Sequence, residues 1–267
     1  MSHTRDDKLP DAARAGGRAR WWWWRRALIA ALAALYVVLW AGGVGHHLFV
    51  GAVAAERNWL ASAFLAVAGA IVLLTTSSRG ELLRLLAVAA VGLLFELCGV
   101  IYGVPFGHYA YTGVLRPTLF GVPVVMSFAW MTLIAYVQQA RSQLRLPPWA
   151  GALVAAAWMT AIDLVIDPLA ANQLGYWRWA ERGHYYGIPL SNFAGWFVAS
   201  LSIFALLRRR PARANFWHRL TGASIILFFT LTALSFQLWG AALVGFGLSA
   251  VDASLLYARR RGFGQLS

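Results

Sequence analysis

Long apolar runs constrain the fold of this chain more than any other feature. They occupy residues 27–50, 58–76, 82–103, 118–140, 148–171 and 188–207, and each is close to the ~20 residues that a helix needs to cross the ~30 Å hydrocarbon layer of a bilayer. A longer apolar segment, residues 220–257, has room for two short spans that turn near residues 237–240. The sequence therefore predicts an all-α, polytopic membrane helix bundle with about eight transmembrane helices, or seven if the last segment crosses once.

The composition agrees with this class. Hydrophobic residues make up 60% of the chain, charged residues 12%, and the mean hydropathy is +0.60, values outside the range of soluble domains. The single cysteine, Cys98, excludes an intrachain disulfide and a cysteine-based metal site. The net charge of +13 is also common in nucleic-acid-binding proteins, but here the basic residues are spread over alternate loops. We therefore expect the basic loops to face the membrane surface, and we expect no nucleic-acid partner.

The positions of the basic residues indicate how the chain crosses the membrane. With a cytoplasmic N-terminus and eight spans, most of the 23 Lys and Arg residues fall on the cytoplasmic side, as the positive-inside rule requires. The exceptions are Arg57, Arg116, Arg178 and Arg182. An odd number of spans would place the arginines at positions 259–261 outside. The sequence therefore predicts a multi-pass protein of the cell membrane with both termini in the cytoplasm.

Polar, basic segments flank the apolar part of the chain. Residues 1–26 are rich in Arg, Ala and Gly and include tryptophans 21–24, which predicts a disordered tail that ends in an interfacial anchor. Residues 27–258 are predicted to form a single transmembrane helical domain, and residues 259–267 a short basic tail. The first apolar run is too long for the h-region of a cleaved signal peptide, so we expect it to remain as a membrane helix.

An internal repeat relates two helical hairpins. The aromatic-rich loops 104–117 and 172–187 both lie on the outer face in this topology, and similar residues follow at similar spacing. The first set is Gly107, Tyr109, Tyr111, Gly121, Pro123 and Trp130, and the second is Gly175, Trp177, Trp179, Gly187, Pro189 and Trp196. Parallel repeats place a binding site at their interface, where Glu96 and Asp163 would face one another. The alternative is a chance or convergent similarity of interface composition.

Three carboxylic acids fall in the outer halves of predicted spans: Glu96, Asp163 and Asp167. Ionisable groups at membrane depth are costly and therefore mark functional sites. Asp163 and Asp167 share one helix face, and both burial and a like charge favour the protonated carboxyl group, which can act as a general acid. The alternative is a structural role in which these acids pair with cations of the outer loops, Arg116, Arg178 or His108.

Other polar residues carry weaker signals. Asp252 lies on the last span near the arginines at positions 259–261, and a pairing with these arginines at the interface explains it. His108 and His184 occupy similar loop positions, but the chain has no HxxxH or HExxH spacing, so no metal site is predicted.

The loop aromatic residues and one amide complete the candidate site. Tyrosine and tryptophan rings form interfacial belts in membrane proteins, and the same rings stabilise a carbocation through their negative faces. The candidates for substrate binding are Tyr109, Tyr111, Trp177, Trp179, Tyr185, Tyr186 and Asn192. Buried carboxyl groups beside aromatic rings suit the protonation of an alkene. The chain has no GxGxxG, P-loop, GxSxG or cysteine-nucleophile pattern, so we expect no cofactor.

Three motifs resemble a known family. They are FGHYAYTGVLRPTLFGVP at residues 106–123, DLVIDP at 163–168 and YWRWAERGHYYGIPLSNFAGW at 176–196. The chain is similar here to the carotenoid-biosynthesis family of membrane hydratases, which includes bisanhydrobacterioruberin hydratases and carotenoid 1',2'-hydratases. The resemblance implies addition of water to the terminal double bond of an acyclic C40 or C50 carotenoid within the bilayer, without a cofactor. It also makes other carotenoid-pathway enzymes candidate partners.

The residues predict a mechanism for such a hydration. Asp163, or else Glu96, delivers a proton to the less substituted carbon of the terminal alkene. The resulting tertiary cation lies under the Tyr and Trp rings. Water held by Asp167 or Glu96, together with Asn192, then adds to the cation and gives a tertiary alcohol.

Other functions compete with this hypothesis. Asp163 and Asp167 form a DxxxD pair like those that hold magnesium diphosphate in polyprenyl transferases and lycopene elongases, although Glu96 lacks a partner four residues on. A carotenoid cyclase would use the same cation chemistry and release a ring. A proton-coupled transporter, a protein of another class, would use the same buried carboxyl groups.

Overall fold

The computed structural model describes residues 11–50, 59–207 and 214–264. Eight helices account for most of these residues, and six of them are long and apolar enough to cross a membrane, while a seventh, Trp59–Leu74, is a shorter apolar helix. The helices are α1 (Asp11–Phe49), α2 (Trp59–Leu74), α3 (Arg79–Tyr102), α4 (Val125–Arg141), α5 (Pro148–Asn172), α6 (Leu190–Leu207), α7 (Phe216–Ser235) and α8 (Trp239–Gly264). The predicted polytopic helical bundle is confirmed, and the last apolar segment does turn between α7 and α8.

One error in the predicted spans lies before α4. The span predicted from residue 118 begins as a helix only at Val125, because β2 (Thr118–Leu119) and β3 (Val122–Pro123) form a short antiparallel hairpin first. Phe120 and Gly121, between the two strands, have φ angles of 49° and 84°, as tight hairpin turns require. The strands are as apolar as the helix that follows them, so hydropathy alone does not separate them.

The polar flanks also differ from the prediction. Helix α1 begins at Asp11, within the segment that was predicted to be disordered, and the Ala and Arg residues there are good helix formers. Residues 1–10 lie outside the described part of the chain. At the other end α8 continues to Gly264 through the predicted basic tail, and residues 265–267 are again outside the described part.

The two aromatic loops meet in a small antiparallel sheet. Strand β1 (Tyr109–Tyr111) pairs with β4 (Trp177–Trp179), and the register joins Tyr109 to Trp179 and Tyr111 to Trp177. In the sequence repeat, Tyr109 corresponds to Trp177 and Tyr111 to Trp179. Tyr109 therefore pairs with the counterpart of Tyr111, and Tyr111 pairs with the counterpart of Tyr109. A two-fold axis between the hairpins produces this arrangement.

A second contact across the same axis joins α4 to α6. The indole rings of Trp130 and Trp196, which correspond in the repeat, stack with centroids 4.3 Å apart and an interplanar angle of 9°. Trp130 is fully buried and fits against α3 at Gly92, where any Cβ would collide with the indole. The two-fold relation of the hairpins thus extends from the loops into the bundle.

The loops alternate between the two ends of the bundle. At the end that carries the sheet, the backbone N–H of Gly240, in the first turn of α8, donates to the Tyr186 hydroxyl at 2.9 Å. At the opposite end the Arg25 guanidinium donates to the Leu74 carbonyl at 2.6 Å, and the Asn215 side chain donates to the Thr75 carbonyl at 2.9 Å. Consecutive helices therefore run in opposite directions, as in an up-and-down bundle.

Asp252 belongs to a buried ion pair. Its carboxylate lies 2.8 Å from the guanidinium of Arg219 on α7, a partner that the sequence did not suggest. Both side chains are buried. The sequence could not show this partner because Arg219 is distant along the chain and belongs to another helix.

Candidate active site

Three acidic side chains converge on one cavity beneath the sheet. Glu96 comes from α3, Asp163 and Asp167 from α5, and their exposed fractions are 4%, 2% and 1%. The cavity has a volume of about 20 Å³, which is room for about one water molecule. Its other lining residues are Phe106, Tyr109, Tyr111, Met126, Trp177, Trp179, Asn192 and Trp196. The structure therefore brings together all three predicted acids and five of the predicted binding residues.

Both carboxylate oxygens of Glu96 accept hydrogen bonds. The hydroxyls of Tyr109 and Tyr111 donate to Oε2 at 2.6 and 2.7 Å, and the indole N–H of Trp130 donates to Oε1 at 2.8 Å. Burial first, and then the neighbouring Glu96, raise the pKa of both tyrosines well above its ordinary value. The two hydroxyls therefore keep their protons and remain donors.

Asp167 is bound in the same way within the second hairpin. The indole N–H groups of Trp177 and Trp179 donate to its Oδ1 at 2.7 and 3.2 Å, and the Asn192 amide donates to Oδ2 at 2.6 Å. Each strand thus supplies two aromatic donors to the carboxyl group of the helix that precedes it. By this criterion Asp167 resembles Glu96 more closely than Asp163 does, although loop spacing aligns Glu96 with Asp163.

Asp163 has a different environment from the other two acids. Among the described residues its hydrogen-bond partner is Asn192, whose amide nitrogen lies 2.6 Å from Oδ2. The same nitrogen reaches Asp167, so one amide connects the two aspartates. Asp163 therefore has an oxygen atom that is not committed to a protein donor.

Charged partners of the acids are absent from the described part of the chain. The ion pairs found there are His218 with Glu81 and Arg219 with Asp252. Arg116, one of the predicted structural partners, donates instead to the carbonyl of Gly113 at 2.9 Å. The structural alternative, in which loop cations neutralise the acids, is therefore wrong for these residues.

Two predicted binding residues lie outside the cavity. The hydroxyl of Tyr185 donates to the Leu164 carbonyl at 3.0 Å, and the hydroxyl of Tyr186 accepts from Gly240. Tyr186 and Gly187 have φ angles of 51° and 81°, so the chain reverses here and carries both rings away from the strand. They support the loop but do not line the site.

Four lining or supporting residues were missed as site residues: Phe106, Met126, Trp130 and Trp196. Trp130 and Trp196 already occupied matching positions in the repeat, and this was the signal that could have revealed them. Their apolar surroundings made them indistinguishable from core residues. Phe106 and Met126 carried no comparable signal.

The fold and the cavity define a class of protein, namely a multi-pass helical membrane protein with clustered carboxyl groups beside aromatic rings. The family model described as "Carotenoid biosynthesis protein" matches residues 57–257, which include every residue of the cavity. The chain belongs to this family.

One relative is the bisanhydrobacterioruberin hydratase of Haloarcula japonica, which is 31% identical over 199 residues. The match covers 68% of this chain and 64% of the relative, so the chain spans less than two thirds of that protein's length. No solved structure matches the chain.

Proposed function

We propose that the protein is a hydratase that adds water across the terminal carbon–carbon double bond of an acyclic C40 or C50 carotenoid end. The observation that carries this proposal is a cluster of three buried carboxyl groups that have no cationic partner among the described residues and are surrounded by tyrosine and tryptophan rings. Alkene hydration needs a proton donor, a site for a carbocation and a bound water. The name of the Haloarcula japonica relative supports the same reaction.

The hydrogen bonds suggest a division of roles among the acids. Indole and amide N–H groups can only donate, and three of them surround Asp167, an environment that suits a carboxylate. Among the residues that the structure describes, Asp163 accepts one hydrogen bond, from Asn192. Three negative charges in a buried site without a cation would be very costly, so at least one acid keeps its proton. Asp163, with its uncommitted oxygen, is the best candidate for the proton donor.

In the reaction we infer, the Asp163 proton is transferred to the less substituted alkene carbon, and a tertiary cation forms on its neighbour. The surrounding rings stabilise this cation. A water oxygen then forms a bond to the cationic carbon, and a proton of that water returns to the carboxylate of Asp163, directly or through Glu96 or Asp167. The acid is regenerated, and the net change is the addition of one water.

The orientation in the membrane is part of the proposal. The distribution of Arg residues favours cytoplasmic termini, which puts the sheet and its cavity toward the outer face. Water reaches the site from that face, while the polyene stays in the hydrocarbon layer.

A magnesium-dependent prenyl transfer fits the cavity less well. Both oxygens of Asp167 face N–H groups, whose positive ends would oppose a bound cation. Within the described residues, no group of three His, Cys, Asp or Glu side chains is placed to share a metal ion.

Isotope labelling tests the proposal. Membranes that contain the protein should convert an acyclic carotenoid in H₂¹⁸O to an alcohol that is heavier by one labelled water. A product of unchanged mass would indicate a cyclase, and label that arrives from O₂ would indicate an oxygenase. Either result would overturn the hydratase assignment.

A further inference from the structure

We propose that Trp196 is the ring that stabilises the carbocation, with one face of its indole against the reacting double bond. This inference rests on the proposed function, because it takes an alkene that becomes protonated as the ligand. It assigns the cation to a residue that was absent from the site predicted by the sequence.

The aromatic residues of the sheet use their polar edges to hold the acids. Those of β1 donate to Glu96, and those of β4 donate to Asp167. Their rings also pack on one another across the sheet, with centroids 5.0 Å apart in one pair and 5.8 Å apart in the other. The edge of an aromatic ring is the positive end of its quadrupole, whereas a cation binds to the negative face. These four rings are therefore placed to organise the acids and not to cover a cation.

Trp196 is not used to hold an acid. Among the residues that the structure describes, its indole N–H has no hydrogen-bond partner, whereas its counterpart Trp130 donates to Glu96 at 2.8 Å. The corresponding acid of the second hairpin is already satisfied, because Asp167 accepts from both indoles of β4 and from Asn192. Trp196 therefore has the position of an acid-binding residue without that role.

Packing fixes the orientation of the Trp196 ring. The ring stacks on that of Trp130 with centroids 4.3 Å apart and an interplanar angle of 9°. Trp130 is fully buried, whereas Trp196 is partly buried and lines the carboxyl cavity. The stack covers one face of the Trp196 indole and leaves the opposite face for a ligand.

The two-fold relation of the hairpins also sets Trp196 opposite the proposed proton donor. Trp130 packs on α3 at Gly92, where a Cβ would lie 2.5 Å from the tryptophan side chain. Asp163 takes the place of Gly92 in the second hairpin, because each lies one helical turn before the acid that the strand donors hold. The Asp163 side chain therefore keeps Trp196 away from α5, and both residues line the cavity. The alkene receives its proton in the space between the carboxyl group and the indole.

Phe106 is the wall residue that makes room for the alkene. The cavity holds about one water molecule, which is less than the end of a carotenoid needs. The Phe106 ring lies beside that of Trp196, with centroids 6.1 Å apart, and its side chain has no polar group to bind. It belongs to a loop between Gly103 and Gly107, whose φ angles of 71° and 101° are accessible to glycine. Movement of this ring exposes the free face of Trp196.

The electron balance of the protonation step explains why such a face is needed. When Asp163 gives its proton to one alkene carbon, the electron pair of the double bond forms the new C–H bond. The neighbouring carbon is left positive. An indole face is the best cation binder among the aromatic side chains, and it interacts with the cation much more strongly than with the neutral alkene. Trp196 therefore lowers the barrier to protonation and has little effect on substrate binding.

Substitutions at Trp196 test the assignment. Trp196→Leu removes the aromatic face and keeps an apolar side chain, so kcat should fall about 30-fold, or roughly 2 kcal/mol, with little change in KM. Trp196→Phe keeps a weaker aromatic face and should have an intermediate kcat. Trp149→Leu makes the same change at a position that is 64% exposed and should match the wild type. All rates are measured per mole of folded, detergent-extracted protein.

A cation analogue measures the same contact without turnover. The probe is an acyclic isoprenoid amine in which a protonated tertiary nitrogen replaces the cationic carbon. Its Ki should rise in Trp196→Leu by about the factor that kcat loses, whereas the neutral hydrocarbon of the same shape should have nearly the same Ki in both proteins. A fluorinated tryptophan at position 196 lowers the electron density of the ring and keeps its shape, so it repeats the comparison if the leucine variant fails to fold.

Two results would overturn the assignment. One is a wild-type kcat in folded Trp196→Leu. The other is an equal loss of affinity for the amine and the hydrocarbon, because the ring would then only fill space. A wild type that makes no alcohol from an acyclic carotenoid would instead reject the proposed function, and the comparison of amine with hydrocarbon would still decide whether Trp196 binds a cation.

Discussion

The side-chain amide of Asn192 donates to Asp163 Oδ2 at 2.6 Å, and its nitrogen lies at the same distance from Asp167 Oδ2. Asn192 follows Gly187 at the spacing at which Met126 follows Gly121 in the first hairpin, and both side chains line the cavity. The two hairpins therefore match in their aromatic residues and differ in their polar ones. The aspartate pair and its amide belong to the second hairpin.

This asymmetry predicts the effect of Asn192→Met, which installs the residue of the first hairpin in the second. The substitution removes a donor from both aspartates, and each buried acceptor left unsatisfied costs about 1–3 kcal/mol. We expect kcat to fall about 10- to 100-fold, measured as product per mole of folded, detergent-extracted protein. The matched control is Met126→Leu, which should keep nearly full activity. Wild-type kcat in Asn192→Met would show that the amide does not organise the acids.

The buried pair of Arg219 and Asp252 predicts a loss of stability far from the cavity. Asp252→Asn leaves the Arg219 guanidinium without its counter-charge, and breaking a buried pair costs about 3–5 kcal/mol. The Tm of the purified variant should therefore fall, while activity per folded molecule stays normal. Replacing both partners by apolar residues, as in Arg219→Met with Asp252→Leu, should restore much of the Tm. An unchanged Tm in the single variant would mean that the pair contributes little.

The distribution of Arg residues predicts the orientation of the protein. A reporter fused after residue 261 should be cytoplasmic, and one inserted within residues 172–187 should be on the outer side. The two reporters form an internal control because an even number of spans fixes their relation to the N-terminus. A C-terminal reporter on the outer side would contradict the proposed orientation.

The chemistry that we assign to carboxyl groups predicts insensitivity to chelation. Membranes washed with EDTA and supplied with carotenoid alone should still form the alcohol, because protonation and water addition need no Lewis acid or nucleotide. Loss of activity on washing, with recovery on adding Mg²⁺, would favour the prenyl-transfer alternative. Washed membranes without carotenoid are the blank.

Hydropathy predicted the bundle because each crossing leaves an apolar run of nearly fixed length. It misplaced the start of α4 because the residues of the β2–β3 hairpin, Thr118 to Pro123, are as apolar as a span. It also could not show the β1–β4 sheet, since strands of three residues leave no periodic signal. The predicted helix boundaries were misplaced where an apolar segment forms a loop and does not cross the membrane.

The acids of the site were predictable because charge at membrane depth has few structural uses. Their partners were less so. Alignment by loop spacing matched Glu96 with Asp163, but the loops differ in length, and the hydrogen bonds of the strands match Glu96 with Asp167. Tyr185 and Tyr186 lie outside the cavity because the chain reverses at Tyr186 and Gly187. The residue types in this loop did not predict that reversal.

The role of Asp163 gives the sharpest prediction. Asp163→Asn keeps the size of the side chain and an oxygen that accepts from Asn192, but it removes the acidic proton. Because general acid catalysis typically contributes about 10²- to 10⁴-fold, kcat should fall within that range while the protein still inserts and binds pigment. Glu181→Gln, in the exposed part of the neighbouring loop, makes the same chemical change outside the cavity and should be silent. If Asp163 were only structural, Asp163→Asn would lower the yield of folded protein and leave kcat per folded molecule intact. That outcome would move the proton donor to Glu96, whose three hydrogen bonds would then have to rearrange during turnover.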